Sequence, residues 1–80
     1  MIHAREDYNR RVQDSEGLIP EDEPVVLIRA QDVLGVQAIE YYARLCREHQ
    51  APEVAERMEQ HAELMKAWPK KKIPDLPQGV

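Results

Sequence analysis

Pro52 constrains the fold of this chain more than any other residue. It stands in "HQAPE", between two stretches whose apolar residues recur with a helical period. A proline within a helix removes a backbone donor and clashes with the preceding turn, so one long helix is excluded. At the first position of a helix the same ring is favourable, and Glu53 behind it suits the positive end of the helix dipole. The sequence therefore reads as two helices with little chain between them. That arrangement implies an antiparallel hairpin.

The upstream helix is carried by "VLGVQAIEYYARLCREHQ". Val36, Ile39, Ala43 and Cys46 recur at spacings of 3, 4 and 3, and Leu34, Ala38, Tyr42 and Leu45 widen the stripe. Such a pattern buries a broad face. Asp32 is the expected N-cap, with Gly35 leaving the start open by a turn. Glu40 and Arg44 form an i, i+4 pair on the polar side. In the downstream helix, Val54, Met58, His61, Met65 and Trp68 follow at 4, 3, 4 and 3, with Ala55 and Ala62 beside them, a heptad-like seam that Pro69 ends.

Ahead of the hairpin stands "EPVVLIRAQD". Its β-branched, apolar run behind Pro24 favours a short buried strand. No second strand of comparable strength exists in the chain. The run therefore pairs with a second subunit, lies extended across helices, or starts a helix with Pro24 at the first position. In each case Val25–Ile28 are expected to be buried between elements or subunits. Residues 1–19 read as a poorly anchored N-terminal arm or short helix, with Glu6–Arg10 and Asp7–Arg11 at i, i+4. Residues 20–69 read as the helical core domain. Residues 70–80 read as a basic, Pro-rich tail, extended and able to lie across a neighbour. "DSEGLIPEDEP" is a loop, by Gly17, Pro20 and Pro24.

Composition narrows the class. Eighty residues make one small domain with a thin core. A single cysteine excludes an internal disulfide. Oligomerisation is the remaining route to stability. The net charge of −4, from 11 basic and 15 acidic residues in mixed order, argues against bulk DNA or RNA as the partner. No apolar run has the length of a membrane span, and "MIHAREDYNRR" has no signal-peptide core. A soluble, cytoplasmic protein is expected. The fold class is mainly α: one short extended segment, then an antiparallel helical hairpin, in a small single domain that is oligomeric.

Catalytic and metal motifs are incomplete. Cys46 and His49 make half of a zinc site, and His61 lies on the next helix, but a second ligand pair is missing. The expectation is no metal, with His61 a hydrogen-bonded core histidine and Cys46 inert packing. Ser15 is the only serine, and threonine is absent. The acidic cluster Glu21–Asp22–Glu23 and the pair Glu59–Glu63 read as solvated surface. The three glycines are too far apart for a phosphate cradle. No cofactor and no enzyme activity are expected.

"RAQD" is the stretch with the most chemistry. Arg29, Gln31 and Asp32 arrive where a helix begins, beside backbone N–H groups that a helix leaves unpaired. A local reading makes Asp32 the cap and Arg29 a salt-bridge partner. A functional reading puts an anionic group on Arg29 and a polar edge on Gln31. Tyr41 and Tyr42 then supply flat surfaces. Neighbours on a helix point about 100° apart, so one tyrosine must leave the core. The candidate ligand site is Arg29, Gln31, Asp32, Tyr41 and Tyr42.

The segment "IPEDEPVVLIRAQDVLGVQAIEYYARL", with "AELMKAW" and "KKIPDLP" downstream, resembles small proteins encoded in tailed phages and prophages. The likeness spans residues 20–77 and carries no catalytic motif. It implies an accessory binding protein. One form is an oligomeric sponge that sequesters a nucleotide immune messenger, such as a cyclic oligonucleotide or an ADP-ribose-like molecule, in the host cytoplasm. Another is an inhibitor or adaptor of a host protein, presenting the hairpin or the arm with Arg5, Arg10 and Arg11. A third is a virion or assembly component.

Overall fold

The computed structural model describes residues 1–77. Residues 78–80, the end of the expected tail, lie outside the described residues. The protein is a small, mainly helical domain. In chain order its elements are β1 (Ile2–His3), α1 (Tyr8–Arg11), β2 (Pro24–Val25), α2 (Gly35–Glu48) and α3 (Pro52–Ala67). They fall into two compact units. One is Met1–Leu27 with the chain from Asp75; the other is Ile28–Pro74.

In the first unit β1 and β2 pair in parallel, Ile2 against Pro24 and His3 against Val25. The strand partner missing from the sequence reading is therefore the N-terminus itself. Pro24 is tolerated because it is the first residue of its strand. The strand stops at Val25, and Val26–Arg29 form neither strand nor helix. Val26 and Leu27 are exposed, while Val25 and Ile28 are half-buried. Burial of this run between elements of one chain is thus corrected for its two middle residues.

The N-terminal residues are also better anchored than expected. His3, Asp7 and Tyr8 are buried. Asp7 accepts hydrogen bonds from Arg5 Nε at 2.7 Å and Arg11 Nη1 at 2.9 Å. Both guanidinium groups lie 5.4 Å from the Tyr8 ring centroid. The ring holds the cations, and the cations hold the carboxylate. Burial pushes the Asp7 carboxyl up, but hydrogen bonds from Arg5 and Arg11 outweigh it and leave it below its ordinary range. The loop that follows turns at Gly17, whose φ of 67° favours glycine. There Asp14 Oδ2 accepts the Ile19 N–H at 2.7 Å.

The second unit is built on α2 and α3, which pack on each other. Residues 49–51 join them. Gln50 takes the left-handed φ of 63°. The Ala51 N–H donates to Cys46 O at 2.7 Å and the Gln50 N–H to Arg47 O at 3.3 Å. These two bonds satisfy carbonyls that the helix end leaves open, the Schellman arrangement, with glutamine where glycine is usual. Pro52 takes the N-terminal position of α3 and Glu53 its first turn, as the sequence implies.

The buried face is made of small residues: Ala43 and Cys46 on α2, and Ala55, Ala62 and Met65 on α3. Here the expected α3 seam is corrected. Val54, His61 and Trp68 are exposed, so His61 is no core histidine. Met58 and Met65 stay on the packed face, and the helix is turned by roughly half a residue step beyond them, toward Ala55 and Ala62. Alanines let two backbones approach closely, and that closeness outweighs burying a few larger side chains. Cys46 is a buried free thiol.

Two ion pairs connect the helices. Arg47 reaches Glu59 through two hydrogen bonds, and Lys66 Nζ lies 3.2 Å from Glu40 and 3.1 Å from Glu63. The hydrogen bonds from Arg47 hold the Glu59 carboxyl below its ordinary value of 4.5. A depressed carboxyl stabilises the fold above that ordinary value and loses its contribution as pH falls through the folded value. The helix pair is therefore expected to melt earlier as pH is lowered from 4.5. Glu59→Gln should flatten that part of the profile. Melting curves between neutral and acid pH check this; equal slopes for both proteins would refute it.

Candidate functional site

The site is built where the unpaired chain turns into α2. Asp32 organises the turn. Its N–H donates to Arg29 O at 3.0 Å, and its own carbonyl accepts the Gly35 N–H at 2.9 Å. Its carboxylate Oδ1 accepts the Leu34 N–H at 2.8 Å. The expected N-cap role is thus corrected by position. α2 begins at Gly35 with Leu34 as its cap residue. Asp32 stabilises the turn just before the helix, an Asx-type bond.

Gly35 fixes the geometry of the same turn. A Cβ there would stand 3.0 Å from Arg29 O, 3.1 Å from Ile28 Cγ2 and 3.1 Å from Met65 Cε. The glycine lets residues 28–29 pass close over the start of α2. In doing so it delivers Arg29 to the surface, where its side chain is exposed. Gln31 is half-buried.

The C-terminal segment completes the site. Lys72 N–H donates to Gln31 O at 2.6 Å, and the Val33 N–H donates to Lys72 O at 3.0 Å. Asp32 and Lys72 thereby form a parallel bridge. Lys71 Nζ donates to Ala30 O at 2.8 Å and to Met65 O at 2.7 Å. The Met65 carbonyl also accepts the Trp68 N–H at 3.2 Å, and the lysine adds a cation at the negative end of the α3 dipole. Lys71 and Lys72 therefore lie along the Ala30–Val33 turn of their own chain, the turn that follows Arg29. Sequence reasoning missed these lysines as site residues. The signal was "KKK" just past a helix end, which it read only as tail.

The tyrosines are placed differently. Both are exposed. Tyr41 is covered on one face by Arg44, whose guanidinium carbon lies 4.7 Å from the ring centroid. Among the described residues no hydrogen bond, ion pair or ring contact joins either tyrosine to Arg29. Arg29, Gln31 and Asp32 share one turn, and the tyrosines lie one to two turns along α2 from its start.

Arg5 and Arg11 are engaged by Asp7. No group of three or more His, Cys, Asp and Glu side chains suited to a metal ion exists among the described residues. No helix among them is long and apolar enough to cross a membrane. The chain matches no family model, no curated protein and no solved structure.

Proposed function

We propose that the protein is a non-enzymatic binder of a small anionic ligand of the nucleotide-messenger class. It is an accessory protein of the tailed-phage kind, acting in the host cytoplasm. The observation that carries the reading is the bridge between Asp32 and Lys72, which lays Lys71 and Lys72 along the turn that follows Arg29. Arginine supplies the forked, bidentate contact that phosphate oxygens take, and lysines add point charges. Gln31 adds an amide with both donor and acceptor capacity beside them.

The finer architecture of this reading is an antiparallel hairpin in an oligomer. Glu40 and Arg47 of α2 pair with Lys66 and Glu59 of α3. Each set is spaced one heptad apart, and the order is reversed between helices, as an antiparallel pair requires.

The test is a thermal-shift screen of the wild-type protein against cyclic di- and trinucleotides, ADP-ribose and ordinary nucleotides. A ligand at a hundredfold excess over Kd stabilises by about 2.7 kcal/mol. For a domain of this size that is a rise in Tm of about 10–20 °C. Arg29→Ala should weaken binding about 10- to 100-fold, the loss of one charge-assisted contact. It should leave the Tm without ligand unchanged, since Arg29 is exposed. A screen without a shift, or a shift that survives Arg29→Ala, would overturn the site.

A second reading, an inhibitor or adaptor of a host protein, is favoured by the exposed apolar side chains of α2 and α3. A stable host complex that is indifferent to Arg29→Ala would select it.

A further inference from the structure

α2 and α3 use only part of their apolar surface on each other. Arg47–Glu59 and Lys66–Glu40 close one flank of the helix pair. Going round each helix from these pairs, the buried line comes next: Ala43 and Cys46 on α2, Ala55 and Ala62 on α3. Beyond it lies a second stripe. On α2 it holds Leu34, Tyr41 and Tyr42, and on α3 Val54, Leu64 and Trp68, the last just past the helix end. The 3.6-residue period places each trio on one side of its helix. Both ion pairs sit on the same flank, so both stripes border the opposite flank and make one face.

That face is open. Leu34 is 55% exposed, Tyr41 55%, Tyr42 51%, Val54 43%, Leu64 68% and Trp68 50%. On whole-residue areas these amount to roughly 600 Å² per chain, at the top of the 300–600 Å² of the largest patch on a typical monomer.

We infer that a second copy of the chain covers this face. Two copies meet about a two-fold axis, each presenting the same stripes. Full cover of the face on both copies removes roughly 1,200 Å² from water, the lower edge of the 1,200–2,000 Å² range of stable interfaces. Tyr and Trp, three of the six residues, are types enriched in such interfaces. Arg57 and His61 fall within the α3 stripe and Glu53 at its edge, while Arg44 and Glu48 border it on α2, so the signs are mixed and equal copies approach without a one-signed field. The chain's own core calls for the partner as well. Among the described residues no large side chain is fully buried, and a domain of this length is marginal on such a core. Arg29 and the lysines lie outside the six residues of this face. The assembly therefore stands or falls apart from the ligand reading.

The test reads mass and fluorescence. At tens of micromolar the wild-type protein is expected at twice 9.3 kDa by sedimentation equilibrium. Leu64→Lys, at a position already exposed in the single chain, is expected to return the single-chain mass with its helical circular dichroism retained. Trp68 is the only tryptophan. Its acrylamide quenching in the wild-type protein should fall about twofold or more as concentration rises from nanomolar to micromolar. That second readout decides the matter if Leu64→Lys does not fold. A wild-type protein that stays single at 100 μM with unchanged quenching would overturn the inference. So would a dimer that persists in folded Leu64→Lys with Tyr42→Lys added.

Discussion

Gly35→Val is expected to lower stability by about 2–3 kcal/mol. For 80 residues that means a fall in Tm of about 10–20 °C. The reason is crowding from three directions. A single Cβ at this position meets the Arg29 carbonyl at 3.0 Å, with Ile28 Cγ2 and Met65 Cε each at 3.1 Å. The two side chains have some freedom to move. The carbonyl has little, because the Asp32 N–H holds it at 3.0 Å. Valine adds two methyl groups to the same space. Helix propensity pulls the other way, since glycine is poor within a helix. At the first residue of α2 that gain is small, and the steric term wins. Gly35→Ala should cost about 1 kcal/mol, between the two limits. The loss should extend to the ligand site, since the valine pushes on the segment that presents Arg29. Thermal melts of the three proteins check the order; a Gly35→Val protein melting within 2 °C of wild type would mean that the close approach does not exist.

Ala43→Asp is expected to unfold the protein. Ala43 is 1% exposed and packs in the cluster with Cys46 and Ala55, flanked by Ala51 and Met58. None of those side chains offers a hydrogen bond or a positive charge. A carboxylate there must either protonate or remain ionised without a partner, and both are costly by several kcal/mol. A domain of this length has about 4–12 kcal/mol in total. Gln37→Asp, on the exposed side of the same helix, is the matched control. It should stay within about 0.5 kcal/mol of wild type. Far-UV circular dichroism at 25 °C separates the two. A folded Ala43→Asp protein with wild-type Tm would show that α2 and α3 do not pack through this line.

The helices were legible because their signals are local. Pro52 marks the break, Pro69 the end, and the 3–4 spacing of apolar residues marks both segments. The face that α3 buries was not legible. Its sequence carries two stripes side by side that share the Met58–Met65 edge. One is bulky, with Val54 and Trp68; the other is small, with Ala55 and Ala62. Hydrophobicity alone selects the bulky stripe. The structure buries the small one, because two helices approach most closely where side chains are short.

The strand and the site divide the same way. "PVV" announced an extended segment, but not its partner, because Ile2 and His3 are too short and too polar a stretch to read as a strand. Their pairing exists only once residues 1–11 are folded around Tyr8. At the turn, the chemistry of Arg29 and the local role of Asp32 followed from residue type and from the start of a helical period. The lysines did not, because Asp32 and Lys72 are joined by backbone hydrogen bonds across the whole length of two helices. By itself, then, the sequence determined that two helices break at Pro52 and end before Pro69, that α2 buries Ala43 and Cys46, and which turn carries an arginine, an amide and a carboxylate. The tertiary structure alone decided which face of α3 is buried, which strand pairs with which, and that Lys71 and Lys72 lie along that turn. The first set depends on residues within a few positions of each other. The second depends on close packing and backbone pairing between residues far apart in the chain.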